Sequence, residues 1–321
     1  MTSPTLFKIE RAALENGIVL LVNPRPESEA VSLRICFRAG AVFDPPGRPG
    51  LSRFVAKMLI RGSETRTHRQ IIREVESTGS TISFASGDEL SSCSIRSTPR
   101  FLGRVMEIAF DCLQRPLFPE SEVEKVRGIL LTEIMEREDN TLSVAKRVAR
   151  ETLFPDGNPY HHDPGGYVDS IKAITREDIV GFWRRHFSPE NCVAAASGPV
   201  KLSALRHNLD RLSRDWPEQT HAPQMPHCSP VLSEGTRKIV PMPHKTQVDI
   251  VSVCPAVPRS HPDYYALSTA NVILGQIGLM GRLGKAIRDR QGLAYYATSS
   301  YVAQIGTGSV SYTHLTLPTK A

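Results

Sequence analysis

The sequence predicts an α+β protein made of two blocks that repeat one plan. Hairpin-forming strands are interleaved with amphipathic helices, the order of a sheet packed with helices. Residues 214–235 are polar and carry Pro217, Pro223, Pro226 and Pro230, which reads as an interdomain linker. Past that break the strand-then-helix order restarts, as an internal repeat does once sequence identity has decayed.

In the first block, 7–10 and 18–22 read as strands joined at Asn16-Gly17, a strong hairpin signal. A third strand at 30–37 ends in a loop at Pro45-Pro46-Gly47. Residues 50–62 follow as a helix, with Leu51, Phe54, Val55, Met58 and Leu59 on one apolar face. The next helix, 67–77, has Thr67 as N-cap. A second hairpin joins 80–85 to 90–96. Helices are then expected at 99–113, 121–138 and 142–153, with Ser121 and Glu124 as a capping box for the second. A loop at 154–166, a helix at 175–186, a strand at 192–197 and a helix at 202–212 close the block. The second block reads as strands at 237–240 and 248–253, helices at 264–274 and 283–290, and a strand at 294–303.

Bulk composition narrows the function classes. The chain has 321 residues, 40% hydrophobic and 22% charged, which suits a soluble globular protein with real cores. Its net charge of +6 comes from 39 basic and 33 acidic residues spread along the chain, the mark of a solvated surface rather than a nucleic-acid footprint. Six cysteines without C-x-x-C spacing read as buried thiols in a reducing compartment. The N-terminus shows no basic segment followed by an apolar one, and no stretch is long enough to span a bilayer. The expected compartment is the cytoplasm, with the periplasm as the alternative.

The joint order of several short stretches resembles the pitrilysin/insulinase metallopeptidases, closest to their processing-peptidase-like branch. They include Leu14-Glu15-Asn16-Gly17, Arg38-Ala39-Gly40, the 50–62 helix, Glu133-Ile134, Asn158-Pro159-Tyr160, Ile273-Leu274-Gly275 and Gly292-Leu293-Ala294-Tyr295. The resemblance covers about residues 8–309. It implies two homologous α+β domains, each an antiparallel-rich sheet packed with helices, around a peptide chamber. On that pattern 1–213 is the N-terminal domain, 214–235 the linker and 236–309 an incomplete C-terminal domain. Residues 310–321 fall outside the family pattern and resemble a translated sequencing adaptor, so they are expected to be a non-native tail.

The resemblance also implies a zinc site, which this chain has lost. An H-x-x-E-H motif would fall on Arg53, Ala56 and Lys57, with the third ligand at Glu133 and a helper Glu at the position of Val126. Such zinc needs two His, a carboxylate and a general base. Arginine offers no lone pair, lysine offers one only when deprotonated, and alanine cannot act as a base. No metal is expected here; zinc belongs to a partner subunit. Arg53 or Lys57 is expected to pair with Glu133 as a fixed cation. At the edge strand, Phe84 stands where the family has Asn, beside Ala85, which matches; these two are the peptide-binding positions.

In the second block the resemblance is kept. Arg288 and Tyr295 have the seven-residue spacing of the family's substrate-holding Arg/Tyr pair and would support the oxyanion. Gly275, Gly278 and Gly281 precede them as a flexible loop or a helix cap. His161-His162-Asp163 reads as a surface loop. The function these observations imply is a non-catalytic subunit of a two-subunit zinc metalloendopeptidase, inactive alone. Its expected partners are a homologous H-x-x-E-H subunit and a peptide, with no nucleic acid and no membrane insertion. The alternatives are a structural or assembly protein of the same fold and a zinc peptidase active on its own.

Overall fold

The computed structural model describes residues 9–217, 223–226, 235–277 and 281–316. It divides into two compact units: Met1–Leu131 with Pro164–Gln224, and Thr132–Asp163 with Met225–Ala321.

The first unit is organised on a six-stranded sheet. Its strands are β1 (Glu10–Ala13), β2 (Val19–Pro24), β3 (Val31–Phe37), β4 (Thr81–Ser86), β5 (Ser91–Ser97) and β6 (Cys192–Gly198), in the order β1-β2-β6-β3-β5-β4. The hairpin turns at Asn16-Gly17 as expected, with Gly17 at φ +91°, but its first strand spans Glu10–Ala13 instead of 7–10 because the short turn pairs the residues next to it. β6 runs parallel to β2 and antiparallel to β3, filling the gap between them. Period-2 alternation sends Val31, Leu33, Ile35 and Phe37 into the core, all at 1% exposure or less. That face is covered by α1 (Leu51–Met58), α2 (His68–Glu76), α3 (Pro99–Gln114) and α8 (Leu202–Leu212). α2 starts at a full capping box, Thr67 with Gln70. α7 (Arg176–His186) starts at another, Thr175 with Asp178. A short helix that the sequence pattern did not suggest, α6 (Val168–Ala173), precedes it.

α4 (Glu120–Asp139) begins one residue earlier than expected, so Ser121 lies inside its first turn and is not the N-cap. The division between units falls inside α4. α5 (Thr141–Leu153) belongs to the second unit, although the sequence places it with the first domain. The reason is packing: α5 lies on β7 (Asp249–Ala256), Thr141 Oγ1 donates to Asp249 Oδ2 (2.5 Å), and Lys245 pairs with Asp139 (2.8 Å).

The second unit has a three-stranded antiparallel sheet in the order β7-β9-β8, with β8 at Ala294–Ala303 and β9 at Gly308–Thr316. β9 pairs with both neighbours and is the central strand. Residues 310–316, expected to lie outside the family pattern, therefore supply most of the strand on which this sheet depends. Their alternation of Val310 and Tyr312 with Ser311 and Thr313 suits a strand. The strand expected at 237–240 does not form: those residues join no ladder among the described residues, and Ile239 is 75% exposed. α9 (Tyr264–Asn271) widens into i→i+5 turns over Val272–Gln276, and a second such segment spans Gly284–Asp289. The expected linker lies partly outside the described residues, as do Pro230 and Gly278.

Candidate functional site

α1 is held at its start by a residue distant from the usual cap position. Gly50 N–H and Ser52 N–H donate to the two oxygens of Asp44, 2.7 Å each. These are orphan donors of a helix N-terminus, so the carboxylate does the work of an N-cap from a preceding loop. Burial pushes Asp44 up to about 7, against the hydrogen bonds from Ser52 and Gly50. Gly50 (φ +93°) lies against Gly166 (φ +70°); a Cβ on Gly166 would meet Pro49 O at 2.4 Å. Ser170 Oγ donates to the same carbonyl at 2.8 Å. Arg127 sits over the Phe54 ring at 5.5 Å.

The face of α1 that this frame presents offers two cations and an alanine where the zinc motif would need His, Glu and His. Arg53 and Lys57 are half-buried cations, and Ala56 is 2% exposed with no donor or base to offer. Val126, at the helper position, is fully buried. The donor set does not fit zinc, which needs neutral imidazoles and carboxylates. Glu133 is half-buried on α4, in the part of that helix assigned to the second unit. Among the described residues no group of three or more His, Cys, Asp and Glu is gathered as a metal would need.

β4 is an edge strand, paired only with β5 among the described residues. The two positions expected to bind peptide, Phe84 and Ala85, face opposite ways. Phe84 turns inward and packs on Ile71, Val75, Ile108 and Cys112 of α2 and α3. Ala85 is exposed on the other face. A side-chain clamp from Phe84 is therefore absent, while the backbone edge remains.

In the second unit Arg288 and Tyr295 come together. The guanidinium carbon of Arg288 lies 5.9 Å from the centroid of the Tyr295 ring. Two backbone irregularities put them there. Arg288 sits in the wide helical turn Gly284–Asp289. Tyr295 is the extra residue of a β-bulge, since Ala294 pairs with Thr316 and Tyr296 with Leu315. A bulge re-aims a side chain that the pleat would otherwise fix. Tyr295 is 66% exposed and Arg288 half-buried, so the phenol and guanidinium are both open to a ligand. The glycines before them act by close approach. A Cβ on Gly275 would meet Ser299 N at 2.5 Å, and Gly281 lies against Gly275 Cα.

The His161-His162-Asp163 stretch lies in a loop, as expected, and is half-buried and tied down there. The His161 ring bonds to Phe154 O through Nδ1 (2.7 Å) and to Asp156 through Nε2 (3.1 Å), and Asp163 pairs with Arg137 (3.1 Å). Burial, then the neighbouring His161, lowers His162 below the usual imidazole value. Asp44 was the positioning residue that the sequence did not reveal, because its six-residue separation from the helix matches no capping pattern.

Two family descriptions match the chain: "Insulinase (Peptidase family M16)" over residues 19–158 and "Peptidase M16 inactive domain" over 173–318. The second interval includes most of residues 310–321. Among curated relatives, an uncharacterized zinc protease of Streptomyces coelicolor is 25% identical over 93% of this chain and 66% of its own length. The beta subunit of the mitochondrial-processing peptidase of Bos taurus is 26% identical over 82% of this chain and 53% of its own. Cytochrome b-c1 complex subunit 1 of the same organism is 24% identical over 82% and 54%. The chain thus spans about half to two-thirds of these relatives. A peptidase M16 inactive domain from Pseudomonas fluorescens superposes with a TM-score of 0.88 at 21% identity, over 96% of this chain and 74% of that one. A protease from Helicobacter pylori gives 0.88 at 18%, over 98% and 76%.

Proposed function

The chain belongs to the insulinase-type (M16) peptidase family, and on that premise we propose that it is the non-catalytic subunit of a two-subunit zinc metalloendopeptidase. One contrast carries the reading. The α1 face has lost every zinc donor and the general base, while Arg288 and Tyr295 are kept and stacked. A guanidinium and a phenol can hold a peptide carbonyl and donate to its developing oxyanion without touching the metal. The zinc and its water would come from a homologous partner with an intact H-x-x-E-H helix. A relative named as a peptidase subunit supports such a division of labour.

The test is co-expression with an H-x-x-E-H homologue, followed by hydrolysis of a quenched fluorescent peptide. Association, with hydrolysis by the mixture and none by this chain alone, is expected. Failure to associate, or equal hydrolysis by the partner alone, overturns the reading. A structural or assembly role is the second reading, favoured by Phe84, whose ring is committed to the core, and by the relative from a cytochrome b-c1 complex. A peptidase active alone is disfavoured by Arg53, Ala56 and Lys57. Among the described residues no helix is long and apolar enough to cross a membrane, and we place the subunit in the cytoplasm.

A further inference from the structure

The six strands of the first unit contain only four charged residues: Glu10, Arg11, Arg34 and Arg96. The register sorts them by face. Arg11 is opposite Leu21, Leu21 opposite Ala195, Ala195 opposite Arg34, and Arg34 opposite Ser94. Arg96 is opposite Ser32, two residues from Arg34 and on its face. All three arginines therefore share the face that the helices leave open, and all three are exposed. Glu10 alternates to the covered face. None of the three has a carboxylate within ion-pairing distance among the described residues; Arg34 makes one hydrogen bond, to Ser92 Oγ at 3.2 Å.

Arg34 and Arg96 are diagonal neighbours on adjacent strands, about 7–8 Å apart at the backbone. Like charges placed so closely repel, and an anion between them removes the repulsion. Arg11 stands three strands from Arg34, about 14 Å away. The residues between are small or apolar, so nothing bulky bars the surface.

We propose that this open sheet face binds an acidic peptide segment, with Arg34 and Arg96 taking two carboxylates and Arg11 a third. An extended peptide repeats its same-side residues about every 7 Å, which matches the Arg34–Arg96 spacing. The inference builds on the peptide-handling role proposed above and names the charge of the peptide handled.

The experiment measures fluorescence anisotropy of the whole chain with a fluorescein-labelled peptide bearing Glu at alternate positions, against the same peptide with Lys. The acidic peptide binds about tenfold or more tightly at low salt, and the preference shrinks as salt is raised. Arg34→Gln/Arg96→Gln lowers its affinity about tenfold, and Arg34→Lys/Arg96→Lys retains most of it. Arg11→Gln, on the far strand, gives a smaller loss and serves as the second variant if the double variant does not fold. Equal affinity for the two peptides, unchanged binding by the glutamine variants, or tighter binding of a single-stranded oligonucleotide overturns the proposal. Binding is read without any partner subunit. Failure of this charge preference is thus a separate result from failure of the mixture to hydrolyse peptide.

Discussion

Arg288 holds its guanidinium carbon 5.9 Å from the centre of the Tyr295 ring. In the proposed subunit the stack gives Tyr295 two separable roles, one through its ring and one through its hydroxyl. Tyr295→Phe keeps the platform for Arg288 and removes only the donor. In the two-subunit assay it lowers kcat about tenfold or more with little change in KM, as loss of an oxyanion donor does. Tyr295→Ala removes both and adds a rise in KM. Arg288→Ala costs at least as much as Tyr295→Phe. Unchanged hydrolysis in all three variants removes the pair from the mechanism.

Metal analysis of the purified chain returns zinc far below one atom per molecule, because Arg53, Ala56 and Lys57 supply no ligand. Ala56→Glu alone does not change this result, since it restores a base and no ligand. Stoichiometric zinc retained through dialysis against a chelator contradicts the assignment.

Stability carries two opposed pH dependences. Asp44 is raised to about 7 by burial, from 3.8. Between those values the folded state holds a proton that the unfolded state has lost, so its contribution weakens as pH rises from about 4 to 7. His186 is lowered to about 4 by burial, from 6.5. Its contribution is complete above 6.5 and is lost as pH falls towards 4. Asp44→Asn therefore leaves a protein whose melting temperature drops more steeply on acidification than that of the wild type. Parallel profiles for the two proteins refute the Asp44 half of this account.

Gly166→Ala places a methyl group 2.4 Å from Pro49 O at a residue with φ +70°. Left-handed backbone costs about 1–2 kcal/mol for a non-glycine residue before the clash is added. A loss of about 2 kcal/mol or more in denaturant unfolding is expected. A change within a few tenths would mean that the Gly50–Gly166 approach is loose.

Phe84→Asn tests whether this position serves the core or the peptide. The ring packs on Ile71, Val75, Ile108 and Cys112, so its removal costs about 2 kcal/mol. Peptide affinity changes little, because the side chain points away from the open face. Stability unaffected by the substitution would return Phe84 to the binding surface.

Local signals made much of the fold legible. Thr67 marked the start of α2, where it forms a capping box with Gln70, and the strand expected at 294–303 is β8. What stayed hidden was non-local. No pattern near Cys192 announces that β6 slots between β2 and β3, since its partners lie far back in the chain. Ile239 and Val240 have strand-forming side chains but no strand to pair with among the described residues. The Arg288–Tyr295 pair was visible through family spacing alone, whereas the bulge that aims Tyr295 depends on its register with β9. The grouping of Arg11, Arg34 and Arg96 on one face was equally invisible until strand order was known.

The late insertion of β6 has a consequence during synthesis. Phe37 and Cys192 are neighbours in the sheet, yet about 155 residues are made between them. At roughly 5–20 residues per second, a ribosome leaves the inner edges of β2 and β3 unpaired for about 8–30 seconds. Throughout that interval two apolar strand edges are open to any other nascent chain. A stalled or slowed ribosome upstream of Cys192 would lengthen that exposure, making the yield of native protein sensitive to translation speed and to a chaperone that can occupy the slot.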